Sequence, residues 1–313
     1  LLGATNVTLD ATITHYRLDY LPCSIFQPNT ANRCANPEDA NWTSPFGNWA
    51  WEGQLLGATV SGPGISLIDS TYSYGFGRLK GKLPPDTAGG FPDDYYSSAY
   101  NAVDGSAALA SAHHRDQGIL NYDFMITNSQ SGPYSWWESS TAPSTDSAWV
   151  GRHPSAGQGS SPHAWGIAGA NKVLLDSLVA QSSDGDLVVG RGVPSSWMGE
   201  NGTISVTTFP TTDGHRISVR LSSSGRSVSM KVQGPLPQGR ILLELPSFID
   251  HVESTSSGHV DGNSGTVSLA RGARRVTVEL GKPQAAELRG ASMRHEKPAA
   301  PVEPHWNLTG ALS

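Results

Sequence analysis

The stretch Ser129–Thr141, SQSGPYSWWESST, gathers the side chains best suited to chemistry in this chain. Glu138 directly follows the indole pair Trp136-Trp137. Indoles offer flat apolar faces on which a sugar ring stacks, and a carboxylate beside them works on the bond held there. The plain alternative is a surface carboxylate next to two core tryptophans. A second stretch, Gly159–Leu175 (GSSPHAWGIAGANKVLL), sets His163 and Trp165 in the first turn of an expected helix. A neutral imidazole there would hydrogen-bond a substrate hydroxyl, or simply cap the helix.

Two further stretches carry carboxylates among aromatic residues. In Phe91–Asn101 (FPDDYYSSAYN), Asp93 and Asp94 precede an expected helix, and Tyr100 follows nearby. Either Asp is a good N-terminal cap, and either would serve as a catalytic or sugar-binding carboxylate. In Asn48–Leu56 (NWAWEGQLL), Glu52 follows Trp51 and stands three residues after Trp49, one helical turn away. Glycoside hydrolysis takes two carboxyl groups across the scissile bond, one as acid and one as base or nucleophile. The expected catalytic set is therefore Glu138 with Glu52 or Asp94. Trp136, Trp137, His163, Trp165, Trp51, Asp93 and Tyr100 are the expected substrate-binding residues.

Other chemistries lack their signatures. There is no G-x-S-x-G elbow, no P-loop and no H-E-x-x-H. The two cysteines, Cys23 and Cys34, exclude frameworks of repeated C-x-x-C pairs. They would close a small disulfide loop in an oxidising compartment, or stay as thiols. No metal and no cofactor are expected.

The elements that must position these residues fall into two territories. Of the 25 aromatic residues, 21 lie within residues 1–165. Residues 1–184 read as helices joined by long loops, with helices expected at 5–17, 49–60, 65–80, 95–112, 115–128 and from Pro162 to Ala180. The loops at 22–48, 82–94 and 129–161 are rich in Pro, Gly, Ser and Asn, and loops of that length usually carry function. Beyond about residue 185 the pattern changes to short alternating runs: Thr203–Thr208, Arg216–Leu221, Ser227–Val232, Arg240–Leu245, Thr266–Ala270 and Arg275–Leu280. Their spacing predicts an antiparallel β-sandwich, with hairpin turns at Asp213-Gly214 and Ser224-Gly225. These runs are free of aromatics, which suits a structural domain. Residues 283–313, with four prolines, read as a linker or tail. The expected class is α+β and multidomain: residues 1–184 helical, residues 185–282 a sandwich, then the tail.

Composition narrows the partners. Charged residues make up only 15% of the 313, against roughly 25% in ordinary soluble domains. The net charge of -6 argues against non-specific nucleic-acid binding, which needs a basic surface to release counterions. No apolar run approaches the roughly 20 residues of a membrane span. Low charge with abundant Ser, Thr, Gly and Asn fits a secreted protein, extracellular or periplasmic, that handles carbohydrate. Sequons stand at Asn6, Asn41, Asn201 and Asn307. The chain opens on Leu1 rather than Met, as expected for a processed chain or a fragment.

Taken together, these motifs resemble the C-terminal half of the six-hairpin glycosidases, the (α/α)6-toroid hydrolases that include the bacterial α-L-rhamnosidases. Ser135-Trp136-Trp137-Glu138 resembles that family's T-T-x-W-E segment, in which the Glu is the general base of an inverting reaction. The resemblance implies that Glu138 activates water. Ser160–Gly166 (SSPHAWG) resembles the S-x-N-H-x-x-x-G segment that follows, which implies a place for His163 near the sugar. Leu187–Trp197 resembles the passage from toroid to sandwich. The Thr-Thr pair is not reproduced, Pro162 stands where the family has Asn, and the family's general-acid segment is absent. A full toroid takes twelve helices and about six are read here, so the implied fold is a partial (α/α)6-toroid-like domain followed by a sandwich. An upstream domain or a second copy would complete it.

Two other functions fit the composition. A polysaccharide lyase on a similar toroid would use Tyr100, Asn101, His113 or His114, although Lys and Arg are sparse in residues 1–150 for a polyanionic substrate. A non-catalytic carbohydrate-binding or scaffold protein would keep the groove without turnover.

Overall fold

A computed structural model describes residues 2–17, 96–97, 130–132, 135–140 and 159–281, apart from 183–184, 200 and 249–250. It also describes helical positions 105, 106, 108, 109, 115, 118 and 122. Helix α1 spans Leu2–Tyr16, as the sequence predicts, despite its threonines. Thr8 and Thr12 spend their hydroxyls on the carbonyls of Ala4 and Thr8, one turn back. Four two- or three-residue strands follow: β1 (Tyr96–Ser97), β2 (Gln130–Gly132), β3 (Ser135–Trp136) and β4 (Ser139–Ser140). Helix α2 spans Ala164–Leu178 and runs directly into β5 (Val179–Gln181) and β6 (Leu187–Val189). A single turn, α3 (Ser195–Met198), leads to β7 (Thr203–Pro210), β8 (Arg216–Ser224), β9 (Ser227–Gln233) and β10 (Ile241–Glu244). The last four strands are β11 (Val252–Thr255), β12 (His259–Asp261), β13 (Thr266–Ser268) and β14 (Arg275–Leu280).

Ten of these strands make a sandwich of two five-stranded sheets, in the orders β12-β13-β10-β6-β5 and β11-β14-β9-β8-β7. All six runs read as strands from period-two alternation are strands, and both Gly turns fall between antiparallel neighbours. Ile217, Val219, Leu221, Val228, Met230, Val232, Val276 and Val278 point inward from the second sheet. Leu187, Val189, Ile241, Leu243 and Val267 meet them from the first, and Phe248 fills the end. One pair, β6 with β10, is parallel, so the first sheet is mixed rather than purely antiparallel.

The central strands of the first sheet, β6 and β10, are buried on both faces. Ala180, Val188 and Leu242, neighbours in register, form a separate cluster on its outer side. Glu244 shares that side and binds Arg115, whose Nη2 lies 3.4 Å from the carboxylate and 3.4 Å from Thr266 Oγ1. Helical residues of the 105–122 region therefore cover this face. Leu109 is fully buried and sits so close to Gly118 and Gly192 that a Cβ at either glycine would overlap it.

Several expectations are corrected. The helix expected from Pro162 to Ala180 is shorter at both ends. Pro162 stands outside it, and Val179 turns extended because it enters the sheet beside Val189. Three groups from the following turn take up the last carbonyls of α2. The N–H of Gly190 reaches Leu178 at 2.8 Å, that of Gly192 reaches Ser177 at 3.0 Å, and Arg191 Nε reaches Asp176 at 3.2 Å. Asp176 also pairs with Arg191 Nη2 at 3.3 Å and with Lys172. A cation and three donors thus stand at the negative end of the helix. The expected helix over 95–112 does not include Tyr96–Ser97, which pair with Ser139–Ser140. The stretch read as a loop at 129–161 holds β2, β3 and β4.

On the exposed edge of the second sheet, β7 is interrupted between Val206 and Phe209. Thr208 there takes φ +57, a left-handed conformation rare for a β-branched residue. Ser218 Oγ accepts its N–H at 3.2 Å, and Arg216 Nη1 donates to its carbonyl at 3.2 Å.

Candidate functional site

The described candidate residues converge on one junction, where β3 and β4 meet the segment leading into α2. The Glu138 N–H donates to the Ser160 carbonyl at 3.0 Å, and the His163 N–H donates to the Trp136 carbonyl at 3.0 Å. Two segments far apart in sequence are thereby stitched together, with Glu138 and His163 on adjoining strands of backbone. The Ser160 N–H returns a hydrogen bond to Glu138 Oε2 at 3.3 Å. Glu138 itself lies in an exposed bend between β3 and β4.

Serine hydroxyls reinforce the junction. Ser161 Oγ lies 2.7 Å from Ser131 Oγ, and Ser131 Oγ lies 3.1 Å from Ser135 Oγ. The Ser161–Pro162 peptide is cis. β2 and β3 pair as a small antiparallel ribbon, and β4 pairs with β1. Tyr96 lies opposite Ser140 and Ser97 opposite Ser139.

His163 is the N-cap of α2 rather than a residue of its first turn. Its backbone is extended, and Nδ1 accepts from the Gly166 N–H at 3.3 Å. An accepting Nδ1 leaves the proton of the neutral ring on Nε2. Trp165 is in the first turn, as expected, with its ring centroid 6.3 Å from that of His163 and the planes tilted by 48°. At 39% exposure Trp165 is one of the few large apolar side chains open to solvent among the described residues.

Trp136 corrects the expectation of a stacking residue. It is 2% exposed and packs on Ala170 and Val173 of α2, with Tyr122 and Ile167 around it. The face of α2 that receives it carries Gly166, Gly169, Ala170, Val173 and Ser177, small residues that let a large ring approach the helix closely. Trp136 therefore anchors the Glu138 segment from below. Trp137 is half-buried, so Trp137 and Trp165 are the open indoles of this junction. Trp51, Glu52, Asp93, Asp94, Tyr100, Asn101, His113, His114, Cys23 and Cys34 lie outside the described residues.

Ser160 is the partner that sequence reasoning missed. It acts through its backbone, and a peptide group leaves no trace in residue type. The glycine at 159 was the available signal, since glycine before a polar run marks a special backbone position, and its φ is +78. Among the described residues no group of His, Cys, Asp and Glu is arranged to hold a metal ion. Among them, too, no helix is long and apolar enough to cross a membrane. No protein-family model matches this sequence, and no curated protein matches it.

Proposed function

We propose that this chain is a glycoside hydrolase, or the C-terminal part of one, and that Glu138 is its general base. The observation that carries this reading is the exposed Glu138 carboxylate. It is held by the Ser160 N–H at the junction that also bears His163 and Trp165. A carboxylate that takes a proton from water needs access and a fixed direction, and this one has both. Trp165 and Trp137 are the surfaces on which a sugar ring stacks. His163, with its proton on Nε2, donates to a sugar oxygen.

The acid partner comes from Asp94 or Glu52. Asp94 is the stronger choice, because only Tyr95 separates it from Tyr96, whose strand pairs with β4 beside Glu138. The helical residues around 105–122 belong, in this reading, to a partial (α/α)6-toroid, and the enzyme works outside the cytoplasm on oligo- or polysaccharide.

The test is product release from a panel of aryl glycosides and glycans by wild type and Glu138→Gln. Loss of turnover by about 100- to 10,000-fold in a folded variant is the order expected when a general base is removed. Full activity in Glu138→Gln rejects the assignment. Uronate polymers in the same panel, followed by ultraviolet absorbance, detect a lyase through its unsaturated product.

A further inference from the structure

The backbone of Ser160 makes two opposed hydrogen bonds with one residue, Glu138. The Ser160 carbonyl receives the Glu138 N–H, and the Ser160 N–H grips Oε2 of the same residue. This geometry depends on Gly159 in two ways. Its φ of +78 is a region L side chains rarely enter. A Cβ at Gly159 would also overlap Oε2 and stand 2.7 Å from the Glu138 Cβ, and nothing else lies as close. The space a methyl group would fill is the space the Glu138 side chain uses.

We infer that Gly159 is a positioning residue for Glu138: its missing side chain lets the Ser160 N–H hold Oε2, which leaves Oε1 as the atom that accepts the proton from water. The inference rests on the glycosidase reading for its catalytic meaning, while the grip on the carboxylate stands apart from it. A fixed Oε2 sets the plane of the carboxylate and so the approach of the attacking water. A displacement of about 1 Å at such a group costs on the order of 100-fold in rate.

The experiment compares wild type, Gly159→Ala, Glu138→Gln and the double variant, all in the full chain. Gly214→Ala is the control for backbone strain. Gly214 has nearly the same φ, +82, with nothing within 4 Å of an added Cβ. Gly159→Ala is expected to lower kcat about 100-fold with KM little changed. In the Glu138→Gln background the same change is expected to cost nothing further, since it acts through that carboxylate. Gly214→Ala is expected to keep full activity. A kcat for Gly159→Ala equal to that of Gly214→Ala overturns the inference, as does an equal loss in both Glu138 backgrounds.

A second readout needs no turnover. In the wild type the Ser160 amide resonance is expected to move as Glu138 gains its proton in acid, and to stay still in Glu138→Gln and Gly159→Ala. If the panel shows no hydrolysis at all, the glycosidase reading fails while this signal still decides the grip. If Gly159→Ala does not fold, Ser160→Pro removes the same donor without adding a group at residue 159. Retained kcat in that variant overturns the inference.

Discussion

Two tryptophans of the same junction have opposite tasks. Trp136 lies under the site against α2, and Trp165 lies open beside His163. Truncating Trp136 to alanine is expected to destabilise the protein by about 3–5 kcal/mol, the range for a buried Trp, read as a lower denaturant midpoint. Trp165→Ala is expected to leave the midpoint within about 0.5 kcal/mol, as for exposed positions, and to weaken sugar binding in a titration. Sequence alone could rank both as aromatic neighbours of a carboxylate. It could not tell them apart, because burial of Trp136 is decided by Ala170 and Val173, more than thirty residues away. Asp261 offers a test of a different kind. The Ser264 hydroxyl, at 2.8 Å, holds its carboxyl below the ordinary range, helped by the Asn263 N–H. A lowered folded-state value means that the stabilisation is present above the unfolded pKa and disappears as pH falls through the folded one. Ser264→Ala is expected to raise the Asp261 titration midpoint by carboxylate NMR, and to leave stability at neutral pH slightly lower.

At the scale of elements, the junction between α2 and the sheet explains the run Gly190-Arg191-Gly192. The two glycine N–H groups and the Arg191 Nε close the three last carbonyls of the helix, and Arg191 Nη2 reaches Asp176. Arg191 is 6% exposed and uses two nitrogens of its guanidinium at once, Nε on the Asp176 carbonyl and Nη2 on the Asp176 carboxylate. Arg191→Lys is therefore expected to rescue little of the loss seen in Arg191→Ala, because a point ammonium cannot replace a fork. Removing one member of such a buried pair costs about 3–5 kcal/mol, measurable by thermal or denaturant unfolding of both variants. The strands that alternate, such as Arg216–Ser224 and Arg275–Leu280, were legible because one face is wet. β5 and β6 gave no such alternation, because Val179–Gln181 and Leu187–Val189 are largely covered on both sides; β6 was read as a strand only through the family resemblance, and β5 was read as the end of a helix. β1 to β4 were not legible either. Two or three residues are too few to show a period, and their pairing is set by the partner segment. At the site, Glu138 and His163 were singled out from residue type and from the family resemblance, while the backbone contacts of Glu138 with Ser160 and of His163 with Trp136 were not legible.

For the molecule as a whole, a buried ion pair is among the described contacts that tie the helical residues to the sandwich. Arg115 is 4% exposed and meets Glu244 and Thr266 from across the outer face of the first sheet. Replacing Glu244 with leucine removes the carboxylate that balances the Arg115 guanidinium in that layer. A loss of about 3–5 kcal/mol is expected, together with separate unfolding steps for the two parts where the wild type unfolds in one. Circular dichroism in the far and near ultraviolet across a urea gradient reads both. The double change Arg115→Met with Glu244→Leu is expected to recover most of the stability, since a well-packed apolar pair replaces the charges.

The kink at Thr208 bears on how copies of this chain behave toward one another. A sheet edge with regular unpaired N–H and C=O groups is a template on which another chain can extend the ladder. Strand β7 is such an edge, and at Thr208 its backbone turns left-handed and gives its N–H and carbonyl to Ser218 and Arg216 of its own neighbour. The row of open groups is broken near its middle. At that point the edge offers no regular rung to an added strand, and the left-handed turn at one threonine interrupts the template for edge-to-edge growth.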